Sequence, residues 1–289
     1  MPSPRVSILI PTYNGERHLD RLLPVLLAQE LEGGFEIRVI DSDSHDCTRQ
    51  ILRKHGIPVE RIERSEFGHG KTRQRLAESA EGELCVFLSQ DVVPAGEDFL
   101  QLLLEPLADP QVAGSTSRVL PHADDDPLTA RTAIGAPEAA SQGMSEAYSR
   151  FNNVASCIRR SILMEVPFPD VPFGEDIAWA KCALAAGWKI AYAPDSVVHH
   201  AHRYTPRQAF ERYRVDAEFH LQTHDQRLRP SLFSVLRGFL YELREDWSYM
   251  RQNGGLHHIL RAPALRGAQV LGQYFGSHGW NPGGSTHSK

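Results

Sequence analysis

A chain of 289 residues has room for one large α/β core with an appendage, or for about two domains, and 41% hydrophobic with 23% charged side chains excludes disorder and low complexity. The net charge of −5 is unevenly spread: eleven arginines against seven carboxylates leave residues 203–266 at +4, and with Lys289 positive as well, residues 1–202 carry −10. No basic patch interleaves with aromatics, which excludes sequence-specific nucleic-acid binding; no apolar run reaches the roughly 18 residues of a membrane span; and four scattered cysteines without a CxxC suit a reducing cytoplasm, with no signal peptide expected.

Short β-rich runs alternate with helical stretches in the first half. Residues 6–10, 35–40, 59–62 and 84–88 read as strands, and 17–29, 46–55 and 72–79 as helices. This βαβα order predicts a mostly parallel central sheet covered by helices on both faces. Such sheets bind ligands beyond the carboxyl ends of their strands. Three strands end there in polar clusters, Pro11-Thr12-Tyr13-Asn14, Asp41-Ser42-Asp43-Ser44 and Ser89-Gln90-Asp91, which are expected to converge on one cleft. Residues 122–148 lack periodicity and read as a long excursion over that cleft. A strand over 153–158, a helix from Glu175 to a stop at Gly187, and two strand-like pieces at 188–192 and 196–198 follow. Beyond Pro206 the pattern is helical, with Leu232, Val235, Phe239, Leu243, Trp247 and Met250 forming one apolar stripe for packing, and Asn253-Gly254-Gly255 a stop. The boundaries predicted are an α/β domain over 1–204, a helical region over 205–275 and a flexible tail over 276–289.

A dinucleotide site is excluded, because no GxGxxG follows the first strand and no Walker A sequence occurs. The strand ends carry carboxylates and small polar groups instead, suited to a nucleotide base and a metal-bound diphosphate. Asp41 can accept the imide hydrogen of a pyrimidine, and Asp91 can bind a divalent cation, although either reads equally well as a loop cap. Glu175-Asp176 opens a helix, where favourable placement on the helix dipole is the plain alternative to chemistry. In His199-His200-Ala201-His202, histidines two apart on an extended chain share a face and one can ligate a metal; packed or surface histidines are the alternative. Zinc is poorly supported without a cysteine partner or HExxH. The turn from Phe67 to Arg73 offers backbone approach, a helix N-terminus and basic groups suited to phosphate, or is simply a turn.

Taken in order, Ile-Pro-Thr-Tyr-Asn, Val-Ile-Asp-Ser-Asp-Ser, the Gln-Asp pair, Gly-Glu-Asp and His-His-Ala-His resemble the family-2 inverting glycosyltransferases of the GT-A fold over residues 5–220. The likeness is greatest to bacterial rhamnosyltransferases, through Phe67 to Arg73, Ser89-Gln90-Asp91, and His200-Ala201-His202 before Tyr204-Thr205. The resemblance implies donor binding by Pro11, Thr12, Asn14, Asp41, Lys71, Arg73 and Gln90, with Thr12 and Asp41 at the base. It implies a Mg2+ or Mn2+ cofactor held by Asp91 and by His200, with His202 the second choice. Asp176 would be the catalytic base and Glu175 would position the acceptor. Two departures stand out: Ser89 replaces a carboxylate of the DxD motif, and Ala155 stands where relatives often carry a polar residue.

The function so implied is transfer of a sugar, L-rhamnose from dTDP-rhamnose, onto a hydroxyl of a cell-surface polysaccharide or lipid-linked glycan of the O-antigen kind. The alternatives are a hexosyltransferase using a UDP-sugar and a catalytically silent nucleotide-sugar-binding protein. The basic C-terminal helices are expected to form a homo-oligomer interface or a peripheral contact with the inner membrane, against the plainer reading of a buttress packed on the catalytic domain.

Overall fold

The structure, a computed structural model, describes residues 5–134 and 151–280, and their contacts divide into two units, 5–121 with 151–200 and 122–133 with 201–280. The chain runs β1 (Val6–Thr12), α1 (Glu16–Leu27), β2 (Phe35–Asp41), α2 (Thr48–Lys54), β3 (Val59–Arg61), α3 (His69–Ser79), β4 (Leu84–Leu88), β5 (Val93–Pro94), α4 (Phe99–Leu104) and β6 (Val112–Leu120). After α5 (Pro127–Ile134), which falls to the second unit as far as Ala133, the first unit is completed by β7 (Ala155–Arg159), α6 (Arg160–Glu165), α7 (Glu175–Ala185) and β8 (Lys189–His199).

Its eight strands make one sheet in the order β3-β2-β1-β4-β7-β6-β8-β5. The first four are parallel, as are β6 and β8, so the mostly parallel sheet is present. β7 is reversed between β4 and β6, and β5 is reversed against β8. Alternation along β1 sends Val6, Ile8 and Ile10 to one face, where they meet Leu19, Leu22, Leu23 and Leu26 of α1 at i, i+3, i+4, i+7 spacing. Leu9 points to the other face, into a cluster with Phe87, Leu76 and Trp179. Both faces are therefore dry, which is why β4 is apolar throughout and β1 is apolar but for Ser7 and the terminal Thr12.

The structure departs from the sequence reading in three places. α3 begins at His69, so the glycine-punctuated turn is already the first turn of a helix. The two strand-like pieces after Gly187 are one strand, β8, broken in register between Ala193 and Val197; Pro194 lacks the N–H a continuous ladder needs. Residues 122–133 are no structureless excursion: Asp126 accepts from the N–H groups of Leu128 and Thr129 to start α5, and Leu128 is buried. Residues 135–148 of that stretch, and 281–289 of the expected tail, lie outside the described residues.

The second unit adds α8 (Pro206–His224), α9 (Leu232–Asn253) and α10 (Ala262–Gly276) to α5. Thr205 and Ser231 form capping boxes that start α8 and α9. The stripe anticipated for packing is split: Met250 is buried and Leu243 packs with Leu128 and Ala262, whereas Leu232 and Trp247 stand exposed. Polar groups take much of the interior instead. Arg266, 1% exposed, donates to both oxygens of Asp246 at 2.8 Å and to the Leu128 carbonyl at 3.1 Å, and Arg131 bridges Asp246 and Glu242.

α8 and α10 pack backbone to backbone. A Cβ at Gly272 would collide with the Phe210 carbonyl oxygen of α8. Helix propensity alone predicts that Gly272→Ala stabilises α10 by about 1 kcal/mol. Because the obstacle is backbone, the overpacking cost of about 1–3 kcal/mol prevails. Urea unfolding is expected to show a lower midpoint for Gly272→Ala.

Candidate active site

The sheet order brings the polar strand ends together. β1, β2 and β4 are parallel and finish at one edge, with Thr12 paired in register with Asp41. Reversed β7 begins at that edge: Ala155 pairs with Leu88, and the Ser89 N–H donates to the Val154 carbonyl at 3.0 Å. β8 is parallel to β6 and ends there too, and its antiparallel pairing with β5 sets His199 opposite Val93. Asp91, two residues before Val93, therefore faces His200. Their Oδ1 and Nε2 atoms lie 3.3 Å apart, both side chains are half-buried, and the His200 N–H is held by the Leu120 carbonyl at 2.8 Å. One carboxylate oxygen and one imidazole nitrogen side by side fit a divalent cation. His202 follows two residues later, in the stretch that belongs to the second unit.

The expected base pocket is tightly knotted. Asp41 is fully buried; its Oδ1 accepts from the Ser44 N–H at 3.0 Å, and its Oδ2 from the Ser44 and Thr12 hydroxyls. Arg49 lies 3.6 Å from it. The Thr12 contact, at 3.3 Å, is the long one, so a base N–H reaching Asp41 would displace Thr12 first. Pro11 sits in β1 opposite Ile40. Two residues read as donor-binding are spent on loop structure. Gln90 clamps the Tyr13 backbone, accepting from its N–H and donating to its carbonyl, each at 3.0 Å, and any Cβ at Gly15 would strike the Gln90 amide. Asn14, in the left-handed region at φ 47°, accepts from the His45 N–H at 2.9 Å and donates its own N–H to Ser44 at 2.8 Å.

Glu175 and Asp176, adjacent in sequence, are placed in different surroundings. α7 is entered through Gly174 at φ 72°, and both carboxylates lie in its first turn. Glu175 turns inward to Arg73 at 2.9 Å, both side chains being less than a tenth exposed. Gly70 permits that approach, since a Cβ there would press on the Pro169 carbonyl and the Glu175 side chain. Arg73 is thus directed at Glu175 and not left open for a donor phosphate, and Glu175 is not open to an acceptor. Lys71, by contrast, is exposed on α3. Among the described residues, no guanidinium lies within salt-bridge distance of Asp176. It accepts from the Asn153 N–H at 3.1 Å and the Ile177 N–H at 2.8 Å. Burial, and then the neighbouring Glu175 charge, push its carboxyl up to about 6.

Asn153 is the residue the sequence reading passed over. Buried just ahead of β7, it ties Asp176 by its N–H, Glu175 by its side-chain amide at 3.3 Å, and Ser156 at 2.8 Å. A buried amide between an aromatic and an apolar strand is the only signal that could have found it. Arg64 was passed over as well; its guanidinium lies 4.2 Å over the Tyr13 ring and 4.9 Å over Phe67. Ala155, noted as a departure on the acceptor side, is buried in β7 against Leu88.

Comparison with known proteins agrees with this geometry. Residues 7–165 match the family model described as Glycosyl transferase family 2. The chain is 30% identical over 228 residues to the O-antigen chain rhamnosyltransferase RfbN of Salmonella typhimurium, covering 75% of this chain and 72% of that one. It is 32% identical over 229 residues, with the same coverage, to the O-antigen chain rhamnosyltransferase WbaN of Salmonella anatum. Among solved structures, the mannosyltransferase PcManGT of Pyrobaculum calidifontis, in complex with GDP-Man and Mn2+, superposes with a TM-score of 0.63 at 18% identity, over 95% of this chain and 87% of that one.

Removing Glu175 strands a buried guanidinium. Glu175→Ala is expected to cost about 3–5 kcal/mol in chemical denaturation, whereas Glu175→Gln, which still offers Arg73 an oxygen, costs less. Equal stability of the two variants would show that Arg73 reaches solvent.

Proposed function

This chain belongs to glycosyltransferase family 2 and has the GT-A fold, and from that premise we propose that it is a metal-dependent inverting rhamnosyltransferase, moving L-rhamnose from dTDP-rhamnose to a hydroxyl of a surface-polysaccharide or lipid-linked glycan. One observation carries the chemistry: a carboxylate raised to about 6, Asp176, anchored at the same sheet edge as the Asp91–His200 pair. The O-antigen rhamnosyltransferases aligned over three quarters of the chain support the choice of sugar.

Inverting transfer is a single displacement. The acceptor oxygen forms a bond to the anomeric carbon as the bond to the departing nucleoside diphosphate breaks on the opposite face. Asp176 takes the acceptor hydroxyl proton, and its raised pKa makes it a stronger base than an ordinary carboxylate while leaving it ionised at neutral pH. The two backbone N–H groups on Asp176 hold the carboxylate in place as it acts. Asp91 and His200, with His202 as the further candidate, would hold Mn2+ or Mg2+, and a cation so bound supplies charge neutralisation for the departing diphosphate. A mixed nitrogen and oxygen donor set suits Mn2+ better than Mg2+. Thr12 and Asp41 would meet the base, and the exposed Lys71 remains for the donor phosphates.

Four measurements test this reading. Nucleoside diphosphate release is expected from dTDP-rhamnose in the presence of lipid-linked acceptor extract, and release only from a UDP-hexose would replace the sugar assigned. Asp176→Asn is expected to lower kcat at least ~10²-fold with donor KM little changed. The carboxyl protonates as pH falls through about 6, so wild-type kcat/KM is expected to fall on the acid side with an apparent pKa near that value. For the metal, activity is expected to need added divalent cation, Mn2+ above Mg2+, and Asp91→Ala or His200→Ala to raise donor KM. Full activity in excess chelator would transfer the role to the chain's own cations.

A further inference from the structure

α9 is turned inside out. Its carboxylates Glu242 and Asp246 point into the helical unit, against Arg131 and Arg266, and Asp246 is fully buried. Large apolar side chains on the same helix point the other way: Phe233 is 74% exposed, Leu236 55%, Leu240 57% and Trp247 47%. At 3.6 residues per turn these four fall within about 60° of one another, so they form one strip along the helix. Arg237, Arg244 and Arg251 run beside the strip at seven-residue spacing, all exposed. Glu245 lies 3.3 Å from Arg244. The exposure is concentrated in the helical unit. Among the described residues, only Tyr13, Leu27 and Met164 of the exposed large hydrophobics lie outside the helical unit.

We infer that this face of α9 lies in the headgroup layer of an anionic bilayer, with its axis along the surface, its leucines and aromatics dipping toward the acyl chains and its arginines among the lipid phosphates. A helix facing water hides its apolar side and shows its charges; α9 does the reverse on its outer side and adds arginines. A second copy of the chain is the weaker occupant. Two such strips paired antiparallel about a dyad at residue 240, their midpoint, gather the arginines of both copies along one rim. A nucleic acid would satisfy the arginines and leave Phe233, Leu236 and Leu240 in water. An anionic leaflet meets both needs at once. The contact is superficial, because no helix among the described residues is long and apolar enough to cross a membrane. The inference rests on the helical unit alone and is independent of the transferase reading.

Co-sedimentation of the full chain with vesicles of phosphatidylcholine, alone and with phosphatidylglycerol added, tests it at low and high salt. Binding is expected only with phosphatidylglycerol present, and to weaken with salt. Replacing Arg237, Arg244 and Arg251 by Gln is expected to lower the partition coefficient about fivefold per arginine, so roughly a hundredfold for the three. Leu236→Ser with Leu240→Ser is expected to abolish binding that survives high salt. All five positions are exposed, so circular dichroism and nucleoside diphosphate release with a soluble acceptor are expected to stay unchanged. A chain that ignores phosphatidylglycerol vesicles at low salt overturns the inference, whether light scattering finds it a monomer or a dimer dispersed by the leucine substitutions. Binding to neutral vesicles that is indifferent to salt and to the arginine variants overturns the part given to the arginines.

Discussion

The reversal of β7 between β4 and β6 is the constraint on which the site depends. Parallel strands deliver their carboxyl ends to one edge, which accounts for Thr12, Asp41 and the loop after Leu88. A parallel strand in the β7 position would deliver its far end there and put Asn153 at the opposite edge of the sheet. Because β7 runs backwards, its first residues arrive beside the end of β4, and the Val154 carbonyl takes the Ser89 N–H. Asn153 then holds both carboxylates of α7. The short β5 does for His200 what β7 does for Asp176, bringing Asp91 against it from a loop that would otherwise end in solvent.

The two adjacent carboxylates show how surroundings divide labour between like groups. Glu175 is neutralised by a buried guanidinium, an arrangement that costs desolvation and returns a fixed orientation. Among the described residues Asp176 receives only backbone hydrogen bonds, which favour its ionised form, but burial and then the remaining field of Glu175 outweigh them and raise its proton affinity. If Arg73 bridged both, Asp176 would be a weak base. The glycine at position 70 admits α3 close to α7, where Arg73 meets Glu175.

The helical unit reverses the usual placement of polar and apolar groups. Arg266, Asp246 and Arg131 occupy an interior that the spacing of apolar residues would assign to leucine, and every oxygen of Asp246 is engaged. Once α9 commits its carboxylates inward, its Phe233, Leu236 and Leu240 have nowhere to go but out. Burial of charge and exposure of apolar surface are thus one choice of helix rotation, not two independent oddities. Close contact of α8 and α10 through Gly272 limits how far α10 can yield to a different rotation.

Local pattern determined a good deal. The largely apolar runs of β1 and β4, the leucine spacing of α1, the start of α7 at Gly174-Glu175 and the polar strand ends all follow from side-chain periodicity and backbone preference, which act over a few residues. The same motifs, met in order, were enough to indicate the family, because Asp91, Asp176 and His200 each stand in a recognisable local setting. What each side chain does once there was decided by partners far away in the chain. Gln90 and Asn14 bind loops because Tyr13 and His45 lie across the edge, and Arg73 is claimed by a residue 102 positions later. Which face of α9 is buried could not be read from spacing, since Phe233, Leu236 and Leu240 repeat as regularly as Val235, Phe239 and Leu243. Periodicity reports that a helix has two unlike faces; only the arginines of α5 and α10, brought to α9 by tertiary packing, decide which one turns inward.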